Sequence, residues 1–238
     1  MKIALVCIAK NEDNYIKEWI DYHKKIGFDN IYIYENNWRC KINESNVIKI
    51  PFDGNIRQLS AYNHFINHFR NKYQWAAFFD IDEFLVLKQH KNIKEFISDY
   101  KSYPAVGINW VLFGDNHLTN IHNNEYSLIK RFTKRQININ RHIKTIINLN
   151  YLHKFINPHH TNLYSMSAEK TIIRGPYNYN GSDNIAQLNH YFVKTKEEFI
   201  SKINRGRADV YFTRPTEEFD EHNFNDIEDL TAYKFMYG

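Results

Sequence analysis

Trp75-Ala76-Ala77-Phe78-Phe79-Asp80-Ile81-Asp82-Glu83-Phe84 is the stretch on which the fold turns. Five apolar residues run straight into three carboxylates. The apolar part has the length and composition of a strand buried on both faces. Strand side chains alternate, so Asp80 and Asp82 are expected on one side and Ile81 on the other. Two like charges at a strand tip repel. A hard divalent cation with oxygen ligands resolves that conflict, as Mg²⁺ or Mn²⁺ does on a diphosphate. The plainer reading is a strand that ends in a solvated acidic turn, and this stretch alone leaves both open.

Working outward, residues 2–9 read as another buried strand, followed by the polar loop Lys10-Asn11-Glu12-Asp13-Asn14. Ile16, Trp19, Ile20, His23 and Ile26 recur at helical spacing, and Gly27 supplies the stop. Strands follow at 30–35 and 47–50, then a helix within 55–73, which leads back to Trp75. This order predicts a mostly parallel α/β sheet with helices on both faces. Ligands of such sheets sit at the carboxyl ends of the strands. Asn11, Glu12 and the acids at 80–83 all belong to that edge. The Gly-rich loops of dinucleotide-binding and P-loop folds are missing from the sequence.

Beyond a helix at 93–100 the pattern changes to one of mixed or antiparallel pairing. Strands are expected at 105–113, 126–132, 142–149, 168–174 and 187–193. Thr195 and Glu198 have capping-box spacing and open a helix that Gly206 closes, and Asn225 and Glu228 repeat that spacing near the end. The 238 residues read as a single domain with a nucleotide-facing half (1–103), an acceptor-side half (104–207) and a C-terminal extension (208–238). A hydrophobic share of 43% is enough to build its core.

A net charge of +4 suits phosphates or an anionic membrane surface but is too small to indicate nucleic acid. Cys7 and Cys40 lack metal-site spacing and point to a reducing compartment. The apolar run Ile3–Ala9 is too short for a secretory core segment. The expectation is a cytoplasmic protein, either soluble or peripheral at a membrane. From Leu128 to Arg174 the charged residues are basic except Glu169. That run is either a solvated sheet face or a surface for phosphate. The pairs His159-His160 and His64/His68 read as surface or core histidines, since adjacent strand residues face apart and Phe65 stands where a zinc-site glutamate would be needed. Trp38 and Trp110 are candidates for stacking on sugar rings, with core packing expected of Trp110.

Lys10-Asn11-Glu12, Glu18-Trp19-Ile20-x-Tyr22-His23, Gly27-Phe28-Asp29, Gln58, Ala61-Tyr62-Asn63, Asp80-Ile81-Asp82-Glu83-Phe84, Phe113-Gly114 and Arg131-Phe132 occur in order. Lys144-Thr145-Ile146, Pro158-His159, Asn189-His190-Tyr191, Lys194-Thr195, Glu198-Phe199 and Lys202 continue the series. Over residues 1 to about 207 the set resembles the glycosyltransferase family 2-like and family 92 proteins. The resemblance implies a GT-A fold and an inverting, metal-dependent transfer of a sugar from a UDP- or GDP-sugar to a glycan, lipid-linked or protein-linked acceptor. It places Asn11, Glu12, Gln58, Asn63, Asp80 and Lys194 on the nucleotide-sugar, and Asp80, Asp82 and His190 on Mn²⁺ or Mg²⁺. Inverting transfer also needs a base for the acceptor hydroxyl. Asp115, Asp209 and Asp183 are the candidates, in that order. Asp115 departs from the family pattern, which has a small residue after Phe-Gly. A phosphoryl-transfer enzyme or nuclease using the same acids, and a non-catalytic nucleotide- or carbohydrate-binding module, are the alternatives.

Overall fold

The computed structural model describes residues 1–121 and 125–238. Strand β1 (Ile3–Ala9) is buried along its whole length and lies at the centre of the first half. Its side chains alternate between two cores: Ile3, Leu5, Cys7 and Ala9 enter one, and Ala4, Val6 and Ile8 the other. Helix α1 (Ile16–Ile26) lays Ile16, Trp19, Ile20 and Ile26 on the first core and ends at Gly27, whose φ of 107° suits a residue without a Cβ. Strands β2 (Asn30–Glu35) and β3 (Val47–Pro51) add in parallel beyond β1. Helix α2 (Gln58–Phe69) packs Ala61, Tyr62, Phe65 and Ile66 on the second core. Strand β4 (Trp75–Phe78) then pairs parallel with the other edge of β1. The two strand ends that carry the polar residues therefore lie side by side.

The acids themselves are not on a strand. Asp80–Asp82 form a turn, closed by the Glu83 amide donating to the Asp80 carbonyl at 3.0 Å. Strand β5 (Glu83–Leu87), not expected from the sequence, leaves this turn. Helix α3 (Ile93–Ser98), capped by Asn92, leads to β6 (Ala105–Leu112). Residues 126–132, expected as a strand, instead contain helix α4 (Leu128–Arg131), with Ser127 accepting from the Lys130 amide as its cap. A short strand β7 (Lys134–Arg135) follows, and β8 (Ile143–Asn148) runs antiparallel between β4 and β6.

The rest is shorter. Strands β9 (Phe155–Asn157) and β10 (His160–Thr161) pair with each other, and β11 (Ser165–Met166) and β12 (Ile172–Ile173) extend the sheet past β6. Strand β13 (Ala186–His190) is parallel to β6 and antiparallel to β5. Helix α5 (Lys196–Arg205) has the predicted capping box. Helix α6 (Glu218–His222), β14 (Ile227–Glu228) and α7 (Thr231–Tyr237) complete the chain. The sheet runs β12-β11-β6-β8-β4-β1-β2-β3, with β13 and β5 branching from β6. The expected α/β class is present, with a parallel first half and a mixed second half.

Asn225 does not start a helix, since its side chain is used elsewhere. It donates to Asp115 Oδ1 at 3.0 Å and accepts from the Asn116 amide at 2.8 Å. This segment lies so close to Gly114 that a Cβ there would collide with the Phe224 carbonyl oxygen. Both cysteines are buried and free. Among the described residues no helix is long and apolar enough to cross a membrane.

Candidate active site

A cleft of about 390 Å³ opens where β1, β4, β6 and β13 end. Its first wall is Ile8, Ala9, Lys10, Glu12, Asn36 and Gln58, and the acidic turn forms its floor. Pairing of His190 with Glu83 in the β13–β5 ladder, and donation by the Tyr191 amide to the Asp82 carbonyl at 2.9 Å, set His190 beside that turn. Its Nε2 lies 3.5 Å from Asp82 Oδ1.

The conflict between Asp80 and Asp82 is resolved by lysines. Lys144 Nζ, from β8, donates to Asp80 Oδ2 at 2.8 Å. Gln58 Nε2 donates to Oδ1 of the same carboxylate at 2.8 Å, and the Tyr62 hydroxyl donates to that oxygen at 3.3 Å. Lys202 Nζ, from α5, donates to Asp82 Oδ2 at 2.7 Å, with Lys194 Nζ at 3.6 Å. Burial alone would raise the Asp82 pKa, but Lys202, Lys194 and His190 outweigh it and hold the carboxyl well below its usual range. Lys202 pays more for burial than Asp82 returns, so its pKa falls to about 8. Beneath the turn, Glu83 is fully buried and accepts from the Asp80 amide at 2.8 Å. Burial pushes its carboxyl up against the pull of Lys144.

Lys202 reaches the acids because α5 is tied to β1 across the chain. Arg205 pairs with Glu12 and donates to the Lys10 carbonyl at 3.0 Å, and Lys10 Nζ donates to the Arg205 carbonyl at 3.0 Å. Tyr15 donates to Glu198 at 2.6 Å. The segment after α5 adds Arg207, Asp209 and Arg214 to the cleft, and α6 adds Glu218, Glu221 and His222. The remaining wall is Trp110, His142, Lys144, Pro158 and His159.

Glu12, Gln58, Asp80, Asp82 and His190 therefore meet in one cleft. Asn11 and Lys194 line a neighbouring cavity of about 320 Å³ on the far side of Lys202 and Arg205. Asn63 faces away: its side chain bonds the backbone of Phe155 and holds β9 on α2. Of the expected bases, Asp115 and Asp183 do not line the cleft. Asp115 binds the Asn225 side chain and the His117 amide, and Asp183 pairs with Lys88 and Arg135. Asp209 does line it, but Arg207 grips both its oxygens and more than offsets the effect of burial, lowering its pKa. Glu221 was not foreseen. Glu12, Asp80, Asp82, Asp209 and Glu218 each have a cationic partner, whereas Glu221 has none among the described residues.

The basic run does not act as a block. Lys144 lines the cleft, Arg131 is buried against Glu198, and Arg135 is paired with Asp183 and Asp229. Trp110 packs against two of the core clusters, as expected, and also lines the cleft, as does His159, whose burial lowers its pKa to about 3. His64 and His68 stack on each other 4.0 Å apart, away from the cleft.

Among the described residues no three His, Cys, Asp or Glu side chains are grouped as a metal cage. Mg²⁺-like ions do not need one, since one or two carboxylates and the substrate's phosphates can hold them. Asp82, with His190 beside it, fits that demand, and a cation there would take over from the Lys202 ammonium. Asp80 fits it less well, because both its oxygens are already engaged.

The sequence profile of glycosyltransferase family 92 matches residues 53–232. An Arabidopsis thaliana family 92 protein is 25% identical over 226 residues, covering 86% of this chain and 37% of that protein. A family 92 protein of Oryza sativa subsp. japonica is 29% identical over 112 residues, covering 43% of this chain and 19% of that protein. The chain thus spans well under half the length of these relatives. Among solved structures, S. aureus TarS 1-349 aligns with a TM-score of 0.38 and 14% identity, over 63% of this chain and 47% of that one. The 4-diphosphocytidyl-2C-methyl-D-erythritol synthase of Anaerococcus prevotii aligns at 0.35 and 10%, over 63% and 72%. Likenesses that slight bear no weight, but the profile covers well over half of the sequence, and the chain belongs to glycosyltransferase family 92.

Proposed function

We propose that the cleft transfers a sugar, with inversion, from a nucleoside-diphosphate sugar such as a UDP- or GDP-sugar to a hydroxyl of a glycan acceptor. The observation that carries this reading is an acidic turn at the sheet's carboxyl edge, ringed by Lys144, Lys202, Arg205, Arg207 and Arg214. The acids suit a ribose and a cation, and the surrounding bases suit a diphosphate that gains charge as it leaves. Family membership supports the same chemistry.

The nucleoside lies against Ala9, Glu12, Asn36 and Gln58 in this reading, with Asp80 held ready for the ribose by Gln58, Tyr62 and Lys144. Asp82 and His190 would hold Mn²⁺ or Mg²⁺, which when bound supplies Lewis-acid stabilisation of the departing diphosphate. Lys202, freed from Asp82, is placed for a phosphate oxygen, as are Arg205 and Arg214. A carboxylate takes the acceptor's proton while the acceptor oxygen bonds the anomeric carbon. The bond from that carbon to the diphosphate breaks, and nucleoside diphosphate leaves. Glu221 is the first choice for the base, because it lines the cleft without an ion-pair partner among the described residues, and Asp209, held by Arg207, is the second.

A panel of nucleotide-sugars, with and without Mn²⁺, tests the reading. One donor should raise the melting temperature and slowly release nucleoside diphosphate, and Asp82→Ala should abolish that release. A panel in which no donor shifts the melting temperature overturns the donor site. Full activity in Asp82→Ala overturns the role given to that residue.

A further inference from the structure

A continuous run of rings leads from the acidic turn out of the cleft. The His190 ring lies 4.3 Å from Trp110, and Trp110 stacks on His142 at 5.1 Å and 29°. His142 meets Tyr177 edge-on at 4.8 Å, and Tyr177 is 6.1 Å from Tyr179. The Arg141 guanidinium covers both tyrosines, at 4.9 and 5.7 Å.

The backbone fixes this line. The Trp110 amide donates to the His142 carbonyl at 2.9 Å, and His142 bridges to Tyr177. Asn178, between the two tyrosines, is buried and anchored: its side chain donates to Asn109 Oδ1 at 2.9 Å, and its carbonyl accepts from Asn109 Nδ2 at 3.1 Å. Tyr177 is 36% exposed and Tyr179 72%, so neither contributes much to a core. Trp110 Nε1 is shielded from solvent, yet it has no acceptor among the described residues. Rings kept in line from the cleft wall at Trp110 and His142 out to the exposed Tyr177 and Tyr179, with a spare indole donor on Trp110, suit sugar rings, whose C–H faces stack on aromatics while their hydroxyls bond polar edges.

We propose that Trp110, His142, Tyr177, Tyr179 and Arg141 form an extended subsite for the acceptor, and that the acceptor is an unbranched oligosaccharide of neutral hexoses. Its reacting end lies at Trp110 and its following residues lie over Tyr177 and Tyr179. Arg141 orders the two tyrosines and offers its remaining N–H groups to hydroxyls. The proposal rests on the glycosyltransferase reading.

The test uses the full chain with cello-, malto- and manno-oligosaccharides of one to six units, read by intrinsic fluorescence titration and, once the donor is known, by KM. Affinity for at least one series should rise with length. The double variant Tyr177→Ala/Tyr179→Ala should lose that gain by about tenfold for the hexamer while leaving the dimer unchanged. Tyr177→Phe/Tyr179→Phe should keep it. The melting shift produced by nucleotide-sugar should be the same in all variants. No binding by any series, or a length gain that survives the alanine variant, overturns the subsite. A preserved donor shift in that case leaves the transferase reading standing, and a missing donor shift counts against that reading instead.

Discussion

At the scale of single residues, the cleft is a set of ion pairs with one acid, Glu221, left over among the described residues. Glu221→Gln should lower transfer by about 10² to 10⁴ in kcat while leaving the donor-induced melting shift intact. Asp209→Asn should cost less, because Arg207 already stabilises its charged form. A variant at Glu221 with full activity, beside a crippled Asp209→Asn, reassigns the base to Asp209. A second residue-scale prediction concerns Glu198, which lies buried against Arg131 through two hydrogen bonds of 2.8 Å. Burial opposes its charge, but Arg131 and Tyr15 prevail and bring its pKa down from 4.5 to about 2. A depressed folded pKa means that the pair's stabilisation is present above about pH 4.5 and fades as pH falls toward 2. Glu198→Gln should therefore lower stability by about 3 to 5 kcal/mol at neutral pH, since it leaves Arg131 buried without its charge partner. It should also flatten the acid limb of the melting-temperature profile between pH 5 and 2. An unchanged acid limb would show that other groups govern acid unfolding.

At the scale of elements, α5 places Lys202 and Arg205, and its N-terminus is the part most easily weakened. Thr195 accepts from the Glu198 amide, and Glu198 accepts in return from the Thr195 amide at 3.1 Å. Thr195→Ala should cost about 0.5 to 2 kcal/mol. It should also weaken donor binding, because the helix that carries Lys202 frays from that end. A lowered melting temperature with unchanged donor affinity would separate the cap from the site. This helix was legible in the sequence because a capping box is local chemistry. The same held for β1, α1 and β4, where apolar spacing and burial coincide. Segments whose conformation is decided by a single distant side chain were not legible. Residues 126–132 have the apolar content of a strand, but Glu18, 110 positions away from Leu128, accepts from its amide at 2.7 Å and fixes the start of a helix instead. Asn225 has the spacing of a cap, but Asp115 and Asn116 claim its side chain. The acidic pair was visible because like charges crowd in sequence. Lys144 and Lys202, which neutralise that pair, come from 64 and 120 positions away, and no local pattern links them to it.

At the scale of the whole molecule, the halves divided at residue 103 share their strands. β4 belongs to the first half by sequence, yet its outer edge is filled by β8, with Trp75 opposite Asn148. β5 is also in the first half, and among the described residues its one strand partner is β13. The cleft has the same composition, with Asp82 from one half and His190 and Lys202 from the other. Neither half can bury its sheet edge without the other, so unfolding should be one cooperative event. Tryptophan fluorescence and far-UV circular dichroism in urea should give a single coincident midpoint, since Trp19 and Trp75 report the first half's core and Trp110 the cleft wall. Leu188 is the residue to perturb: it is fully buried on β13 and stands between Leu85 of β5 and Trp110 of β6. Leu188→Ala should cost about 2 to 5 kcal/mol and move both midpoints together. A fluorescence midpoint that stays in place while the dichroism midpoint falls would mean that the β13 branch unfolds by itself, and that the cleft is assembled on a half able to stand alone.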